Sequence, residues 1–412
     1  MELKTVLKEL SLESYQEGFA QDWNESETLF NTTEILSEKF IIECAKLSCI
    51  DNDTIDCIIK AAQRINDFSS LKRVFVHTHY LLFLCNEPIV NLPEMEKELG
   101  DAGYEYNLLL ALSGVMQSKK YFKDLNMPKD VAEGAFKDIS LWVKHYKNNL
   151  GIAGLTTRTL RWECSLLKGK LFRIGRLQFN IMPFEGNIVV YRNKLTNQVQ
   201  ALAADGIELN LSGQFFGVDG ELDKTGVWTS RLLRNEQQVS GNPVSPLGNI
   251  EHKIISLNLS EWDEVLAHGD SVLDTHIPAG ESFTPQACAD SLNCAIEFFA
   301  KYFPEKHFKG WACHSWFLDN QYETILSENS NIVKFQRELY LYPISESGED
   351  SYWRIFGENG MKNGIKNAPR NTSMQKAVAE FIEKGGKLRA GGGFFLKDDT
   401  PWGRQFYRKM GL

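Results

Sequence analysis

The chain lacks several features that would place it in a specialised class of proteins. Its eight cysteines form no CxxC pair, and several lie in apolar helical patterns, which is typical of buried free thiols. The longest apolar runs, Val74–Leu84 and Tyr106–Met116, reach about half of the roughly 20 residues that a membrane span needs. Neither a repeat nor a low-complexity tract is present. These absences favour an ordinary globular protein.

The net charge and the first residues of the chain limit the partners and the location that we expect for the protein. The formal net charge is −9 and no basic stripe stands out, which argues against a nucleic acid or an anionic membrane as partner. Met1–Leu12 carries charges throughout and has no apolar core of a secretory signal, so a cytoplasmic location is expected. A length of 412 residues with 43% hydrophobic residues predicts two to three domains with a sizeable core.

Residues 1–150 are predicted to be helical. Apolar residues recur at three-four spacing in Phe40–Leu47, Thr54–Ile65, Leu71–Leu84, Glu94–Leu99 and Tyr106–Gln117. His77 and His79 are two residues apart and cannot share one helix face, so we interpret them as core histidines and not as metal ligands. No metal site is expected in the chain.

From Gly151 onward the pattern indicates strands. Strand-length segments are predicted at Leu160–Ser165, Leu171–Pro183, Asn187–Tyr191, Ile207–Leu211 and Ile254–Leu259. The polar, glycine-containing segment Gly217–Ile250 is interpreted as a long loop, and long ordered loops are often functional. Beyond Pro343 we expect a short strand at Tyr352–Phe356, a helix at Ser373–Lys384 and an edge strand at Gly391–Leu396.

The most informative stretch lies between these segments. Ser271–Pro278 has the apolar, β-branched pattern of a buried strand. Thr284 and Pro285 then offer an N-cap and a first helical residue. A second strand at Lys309–Leu318, a short helix after Asp319 and a long strand at Asn331–Pro343 complete the order strand, helix, strand, helix, strand. A helix that starts after a strand presents free N–H groups, so this order permits a phosphate-bearing ligand.

Four blocks of sequence resemble a bacterial family of acyltransferases that pairs a helical N-acyltransferase N-terminal domain with a GNAT-like C-terminal domain. The blocks are Arg173-Ile-Gly-Arg-Leu-Gln-Phe179, Asp274-Thr-His-Ile-Pro278, Cys313-His-Ser-Trp-Phe-Leu-Asp319 and Ser330-Asn-Ile-Val-Lys-Phe-Gln336. The resemblance implies an α+β or α/β fold, with a helical domain at 1–150 and a GNAT-like mixed-sheet acyltransferase domain at 151–412.

The same resemblance implies a co-substrate and its site. An acyl-CoA such as acetyl-CoA would be used without a permanently bound cofactor, and its diphosphate would lie on the turn Ala279–Phe283. The cofactor-binding candidates are Ile277, Gly280, Ser282 and Thr284. The chain departs from the GNAT pattern here, because the Gln/Arg-x-x-Gly-x-Gly/Ala signature is absent and Gly280 is the only glycine of the turn.

Acyl transfer to an amine requires a base, a donor for the oxyanion and an acid for the thiolate. His276 is the preferred base, with Asp274 two residues earlier on the same face to orient it. His314 and Ser315 on the next strand could reach the same crevice, and Tyr322 stands where the resemblance places a tyrosine acid. We expect His276, Gly280, Ser315 and Tyr322 to line one pocket between two parallel, splayed strands. Packing in the core is the alternative for each candidate.

Three functions remain open at this point. The first is an acyl-CoA-dependent N-acyltransferase acting on a small-molecule or peptide amine. The second is a non-catalytic ligand-binding protein on the same fold, because the signature glycines are missing. The third is a thioester or glycoside hydrolase that uses Asp274, Asp319 or Cys313. Cys313 and His314 cannot form a nucleophile pair themselves, since strand neighbours point to opposite faces. The oligomeric state is left open.

Overall fold

The computed structural model of the chain describes residues 1–85, 92–280, 282–357 and 360–409. These residues form two compact units, Met1–Ile174 and Gly175–Leu412. The first is built mainly of helices and the second of sheets with helices.

The helical unit begins its longer helices at residues that cap them. Ser37, Asp51 and Thr156 each accept a hydrogen bond from the backbone N–H three residues later, which satisfies one of the free donors at a helix start. The α-helices described in this unit are α1 Leu3–Glu9, α2 Gln16–Ala20, α3 Glu27–Thr32, α4 Glu38–Leu47, α5 Asn52–Asp67, α6 Ser69–His79, α7 Met95–Glu98, α8 Asp101–Ser113, α9 Val115–Asp124, α10 Lys129–Leu150 and α11 Thr157–Leu167. A short strand, β1 Phe172–Ile174, ends the unit.

One prediction in this region is wrong. Leu160–Ser165 was expected to be a strand and lies inside helix α11. Leu160, Glu163, Cys164 and Leu167 are buried at a spacing of i, i+3, i+4 and i+7, which is one face of a helix. The cap at Thr156 continues the helical region past residue 150.

The two histidines of α6 are core residues, as predicted. His77 is fully buried; its Nδ1 lies 2.8 Å from Ser26 Oγ and its Nε2 lies 3.0 Å from the carbonyl oxygen of Phe19. His79 Nδ1 lies 2.7 Å from Ser113 Oγ. Burial lowers the pKa of His77 to about 3, with help from the charge of Arg73, and burial lowers the pKa of His79 to about 4. Both rings are neutral at physiological pH.

The second unit contains a large mixed sheet. Its strands in this unit are β2 Leu177–Pro183, β13 Ser271–His276, β14 Gly310–Ser315, β15 Tyr340–Ser347 and β16 Arg389–Leu396. They lie in the order β2, β13, β14, β16, β15. Strands β13 and β14 are parallel, and the other pairs are antiparallel.

Smaller sheets fill the part of the chain between β2 and β13. One has the order β10, β9, β4, β3, β12; another β11, β8, β7; and β5 pairs with β6. Their strands are β3 Ile188–Asn193, β4 Val199–Ala203, β5 Glu208–Leu209, β6 Trp228–Thr229, β7 Leu232–Arg234, β8 Gln238–Gly241, β9 Pro243–Ser245, β10 Asn249–Ile250, β11 Ile255–Asn258 and β12 Trp262–Leu266. The predicted loop Gly217–Ile250 therefore contains five short strands.

Helices accompany the large sheet along the chain. They are α12 Pro285–Tyr302, α13 Tyr322–Ile325, α14 Asn331–Glu338, α15 Glu349–Phe356, α16 Ser373–Glu383 and α17 Phe406–Lys409. The first is capped by Thr284, whose side chain accepts from Ala287 N–H, and Pro285 occupies its first turn, as predicted. Helix α16 is held by a capping box of Thr372 and Gln375. None of the described helices is long and apolar enough to cross a membrane.

Three further predictions need correction. The segment expected as one strand at Asn331–Pro343 is helix α14, started by the Ser330 cap, followed by strand β15. Tyr352–Phe356 belongs to helix α15 and not to a strand. Gly391–Leu396 is a strand, but β16 lies between β14 and β15 and is not an edge. Its glycines fit an interior position because neighbouring atoms occupy the space of their absent side chains.

Candidate active site

The central feature of the second unit is the separation of two parallel strands. β13 and β14 are joined only at Leu273 with Trp311 and at Asp274 with Ala312, although both strands continue toward their carboxyl ends. The ladder therefore ends before the carboxyl ends of β13 and β14, which is consistent with the splayed parallel strands that the sequence predicts. Open α/β sheets bind ligands at such a point.

The two faces of this opening differ in chemistry. Side chains alternate along a strand, and the register places Asp274 and His276 of β13 on the same face as His314 of β14. Thr275 and Cys313 lie on the opposite face. One face thus carries ionisable groups, and the other is mostly apolar.

His276 and Asp274 form the predicted pair. Nε2 of His276 lies 3.1 Å from Oδ2 of Asp274, and the two side chains are 30% and 32% exposed. A carboxylate at this distance orients the imidazole ring, and the ring is partly exposed. An imidazole that is oriented by a carboxylate can act as a general base.

A second polar pair was missed by the sequence analysis. Nε2 of His314 lies 2.8 Å from the hydroxyl of Tyr342. These residues occupy β14 and β15, on either side of Gly392 of β16 in the register. A Cβ on Gly392 would lie 2.3 Å from the Tyr342 ring, so the glycine leaves room for the ring. The row Gly391-Gly392-Gly393 was the only signal in the sequence.

Burial keeps this pair neutral. It lowers the pKa of His314, against the opposing charges of Glu346, Asp274 and Glu185. It also raises the pKa of Tyr342 well above its ordinary value. A neutral imidazole and a protonated phenol can share one hydrogen bond inside the protein.

The opposite face of the opening borders an apolar cavity. Its lining residues come from β13, β14, β16, the helices α12 and α14, and nearby loops: Thr275, Leu292, Trp311, Ala312, Cys313, Phe335, Leu339, Gly393 and Trp402. Burial raises the pKa of the Cys313 thiol, so the reactive thiolate is disfavoured. Its volume is about 10 Å³, so it is a small apolar gap in the core with room for no more than about one water molecule.

The turn after β13 leads directly into helix α12. Gly280 has a φ of +106°, a conformation that side-chain-bearing residues rarely adopt. Gly280 and Ser282 are exposed, while Ile277 and Thr284 are half-buried. Glu281 lies outside the described residues. The free N–H groups at the start of an 18-residue helix face the end of this turn and favour an anion.

The structure contradicts the expected placement of Tyr322. Its side chain is fully buried in an apolar cluster with Ile355, Phe356 and Leu388, among others, and burial raises its pKa. A residue packed this way does not line a crevice, since the apolar face of α13 is turned to the core. The hydroxyl of Ser315, at the end of β14, accepts a hydrogen bond from Phe317 N–H at 3.1 Å.

Asp319, named in the hydrolase hypothesis, is buried and bonded to the backbone of neighbouring segments. It is 1% exposed, and its carboxylate accepts hydrogen bonds from the backbone N–H groups of Gln321 and Arg389 at 3.0 and 2.9 Å. These bonds tie the end of β14 to the start of β16. The oxygens of the Asp319 carboxylate therefore accept hydrogen bonds that stabilise the fold.

In a GNAT-like fold, a mixed sheet contains two parallel strands that separate toward their carboxyl ends, and a helix follows the first of them. The second unit has this order of elements. Residues 171–395 match the family of the GNAT-like C-terminal domain, and the chain belongs to this family. The family resemblance seen in the sequence is confirmed.

Solved structures show the same fold over nearly the whole chain. An acyltransferase in complex with decanoyl-CoA and teicoplanin has a TM-score of 0.61 and 20% identity, covering 96% of this chain and 99% of that one. An acyltransferase mutant in complex with octanoyl-CoA has a TM-score of 0.61 and 18% identity at the same coverage. An acyltransferase with decanoyl-CoA alone gives 0.60 and 17%, again covering 96% and 99%. No curated protein sequence matches the chain significantly.

Proposed function

We propose that the chain is an acyl-CoA-dependent N-acyltransferase that transfers an acyl group to an amine. The observation that carries the proposal is the His276–Asp274 pair, 3.1 Å apart, at the opening between β13 and β14. The family and the acyl-CoA complexes of its structural relatives support it.

The donor would bind along the end of β13 and the turn after it. Ile277, Gly280, Ser282 and Thr284 are the proposed contacts. Gly280 allows close approach of the backbone, and the N-terminus of α12 attracts the diphosphate. Beyond Asp274, β13 and β14 share no ladder pair, so the crevice can accept the thioester.

In the proposed reaction His276 removes a proton from the acceptor amine. The nitrogen attacks the thioester carbonyl, the new C–N bond forms, and the C–S bond breaks to release CoA. The proton taken by His276 can then neutralise the leaving thiolate. Asp274 stabilises the imidazolium between these steps. His314, held by Tyr342, is the proposed second polar group, while Tyr322 is excluded by its burial.

The proposed donors have medium-length acyl chains and not an acetyl group. One observation supports this: the structural relatives hold octanoyl-CoA or decanoyl-CoA. The proposed acceptor is an amine of a glycopeptide-like small molecule, because one relative was solved with teicoplanin.

The direct test incubates the purified chain with acetyl-, octanoyl- or decanoyl-CoA and a deacylated glycopeptide amine. We expect CoA release that depends on the acceptor, and a product whose mass increases by one acyl group. Thermal shift with the same donors reports binding separately. Stabilisation by acyl-CoA without turnover would favour the non-catalytic binding protein, which the missing signature glycines motivate. No stabilisation and no turnover would overturn the proposal.

A further inference from the structure

Three ionisable side chains meet in the interior of the helical unit. Asp138 of α10 is 2% exposed and Glu163 of α11 is fully buried. Arg173 of β1 is also buried, and its Nη1 lies 3.4 Å from Oδ1 of Asp138. Gly134 of α10 allows this approach, because a Cβ there would lie only 3.2 Å from Cβ of Arg173. The cluster therefore holds two carboxyl groups and one guanidinium.

The hydrogen bonding of Glu163 shows which form its carboxyl group takes. Both of its oxygens are inaccessible to solvent, and neither accepts a hydrogen bond from a donor in the described part of the chain. The side chain is nevertheless hydrogen-bonded to that of Asp138. Ionised carboxylates are acceptors only, so a bond between the two groups requires a proton on one of them. Glu163 carries it, because the guanidinium of Arg173 lies beside Asp138 and favours the ionised form there.

The surrounding charges agree with this assignment. Burial raises the pKa of Asp138, and the bond from Glu163 and the charge of Arg173 oppose that rise. Burial and the charge of Asp138 raise the pKa of Glu163 well above its ordinary value, and no cation of the described residues opposes them. Helix α8 also packs on α11 but adds no charge that acts on Glu163. Burial raises the pKa of the adjacent thiol, Cys164, to about 12, so this group is neutral.

The cluster is electrically balanced only while the proton is present. One guanidinium, one carboxylate and one neutral carboxylic acid have no net charge. Ionisation of the second carboxyl group would leave a net negative charge inside the unit and would remove the bond between α10 and α11. An uncompensated buried charge is costly, so the unit has to open before the proton can leave.

We propose that Asp138 and Glu163 share one proton, and that release of this proton opens the contact between α10 and α11. An unfolded glutamic acid ionises near pH ~4.3, whereas the folded chain keeps the proton at higher pH. The folded state therefore binds more protons than the unfolded state, and stability falls as the pH rises above that value. The carboxyl pair makes the helical unit sensitive to alkaline conditions.

The first experiment detects the proton itself. The infrared difference spectrum of the full chain, wild type minus Glu163→Gln at pH 7, should contain the C=O band of a protonated carboxylic acid. Glutamine has the same shape and keeps a donor for Asp138, so the fold is retained. Glu133→Gln is the matched control, because Glu133 lies on α10 with a side chain that is 41% exposed; its difference spectrum should contain carboxylate bands alone. A spectrum for Glu163→Gln without the acid band would overturn the inference.

The wild type provides a test that needs no variant. Labelling the glutamate carboxyl carbons with ¹³C should shift the acid band, because the proton is carried by a glutamate. An acid band that does not move with the label would overturn the assignment to Glu163.

The second experiment tests the link to helix packing. Hydrogen exchange of α11 peptides in the full chain, corrected for the intrinsic pH dependence of exchange, gives the opening equilibrium constant. Between pH 7 and 8, this constant should rise up to about tenfold more per pH unit in the wild type than in Glu163→Gln, because opening releases one more proton. Glu133→Gln should follow the wild type. Equal slopes in the wild type and Glu163→Gln would overturn the link between the proton and the α10–α11 contact.

Discussion

The two units use histidine in opposite ways. In the helical unit, His77 and His79 are buried, and their bonds go to hydroxyl groups and a backbone carbonyl. In the second unit, His276 is about one-third exposed and its partner is the carboxylate of Asp274. The first pair completes the hydrogen bonding of a core, while the second is a partly exposed pair of side chains that is proposed to act on the substrate.

Spacing alone does not separate these cases, since each histidine lies in an apolar stretch of sequence. Exposure and the charge of the partner do. Burial lowers the pKa of His77 and His79 and keeps both rings neutral, whereas a carboxylate stabilises the protonated ring that a base forms during the reaction. The comparison therefore predicts catalytic effects for His276 and effects on stability for His77 and His79.

The largest expected effect follows from removing the proposed base. His276→Ala should lower kcat by about 10²- to 10⁴-fold, the usual contribution of a general base. The affinity for decanoyl-CoA should stay the same, because the base acts on the amine. Steady-state kinetics together with calorimetry measures both quantities.

His268→Ala is the control for that experiment, because His268 is an exposed histidine shortly before β13. It should retain wild-type kcat. Full activity in His276→Ala would contradict the proposed role of His276 as the base. His314 would then be the remaining histidine candidate.

The next effect concerns pH and the helical unit. The folded pKa values of His77 and His79, about 3 and about 4, lie below the unfolded value of about 6.5. The unfolded state therefore binds protons first as the pH falls, and stability is lost below pH ~6.5. Each histidine should contribute about 1.4 kcal/mol per pH unit until its folded pKa is reached.

Hydrogen exchange of α6 peptides in the full chain, corrected for the intrinsic pH dependence of exchange, measures this loss. His79→Gln should make the dependence on pH shallower, because one titrating group is removed. A flat opening free energy between pH 7 and 5 would contradict the buried, neutral state of these rings.

A smaller effect is expected for the phenol next to His314. Tyr342→Phe removes the hydroxyl that lies 2.8 Å from Nε2, and one hydrogen bond contributes about 1 kcal/mol. We expect kcat to fall about fivefold, with a shift of the pH profile toward that of a less restrained imidazole. An unchanged pH profile would assign Tyr342 to packing alone.

The smallest effect should come from Cys313, which precedes His314 and points to the apolar face. Cys313→Ala should leave kcat for acyl transfer unchanged, because the buried thiol has a raised pKa and takes no part in the reaction. Alkylation of the native protein should modify the exposed Cys49, Cys57 and Cys294 before Cys313. Loss of activity in Cys313→Ala would support the hypothesis of a hydrolase that uses Cys313.

Sequence reasoning succeeded where local signals were strong. The N-cap at Thr284 and the proline after it predicted the start of α12, and the strand before it placed Asp274 and His276 on one face. It failed where long-range packing decides the structure. Tyr322 follows Asp319 in sequence as a site residue could, but the apolar cluster around Ile355 and Phe356 buries it. The His314–Tyr342 bond depends on β16 lying between their strands, and the glycine row of β16 is the only local pattern related to it.

The three consecutive glycines of β16 are each surrounded by different atoms. A Cβ at Gly391 would lie 2.1 Å from the carbonyl oxygen of Leu318, at Gly392 it would meet the Tyr342 ring, and at Gly393 it would lie 2.9 Å from Leu339. In a population of random single-residue variants, substitutions at all three positions should therefore be depleted under selection for folded protein. Selection for folding alone would therefore keep these glycines, whatever the substrate is.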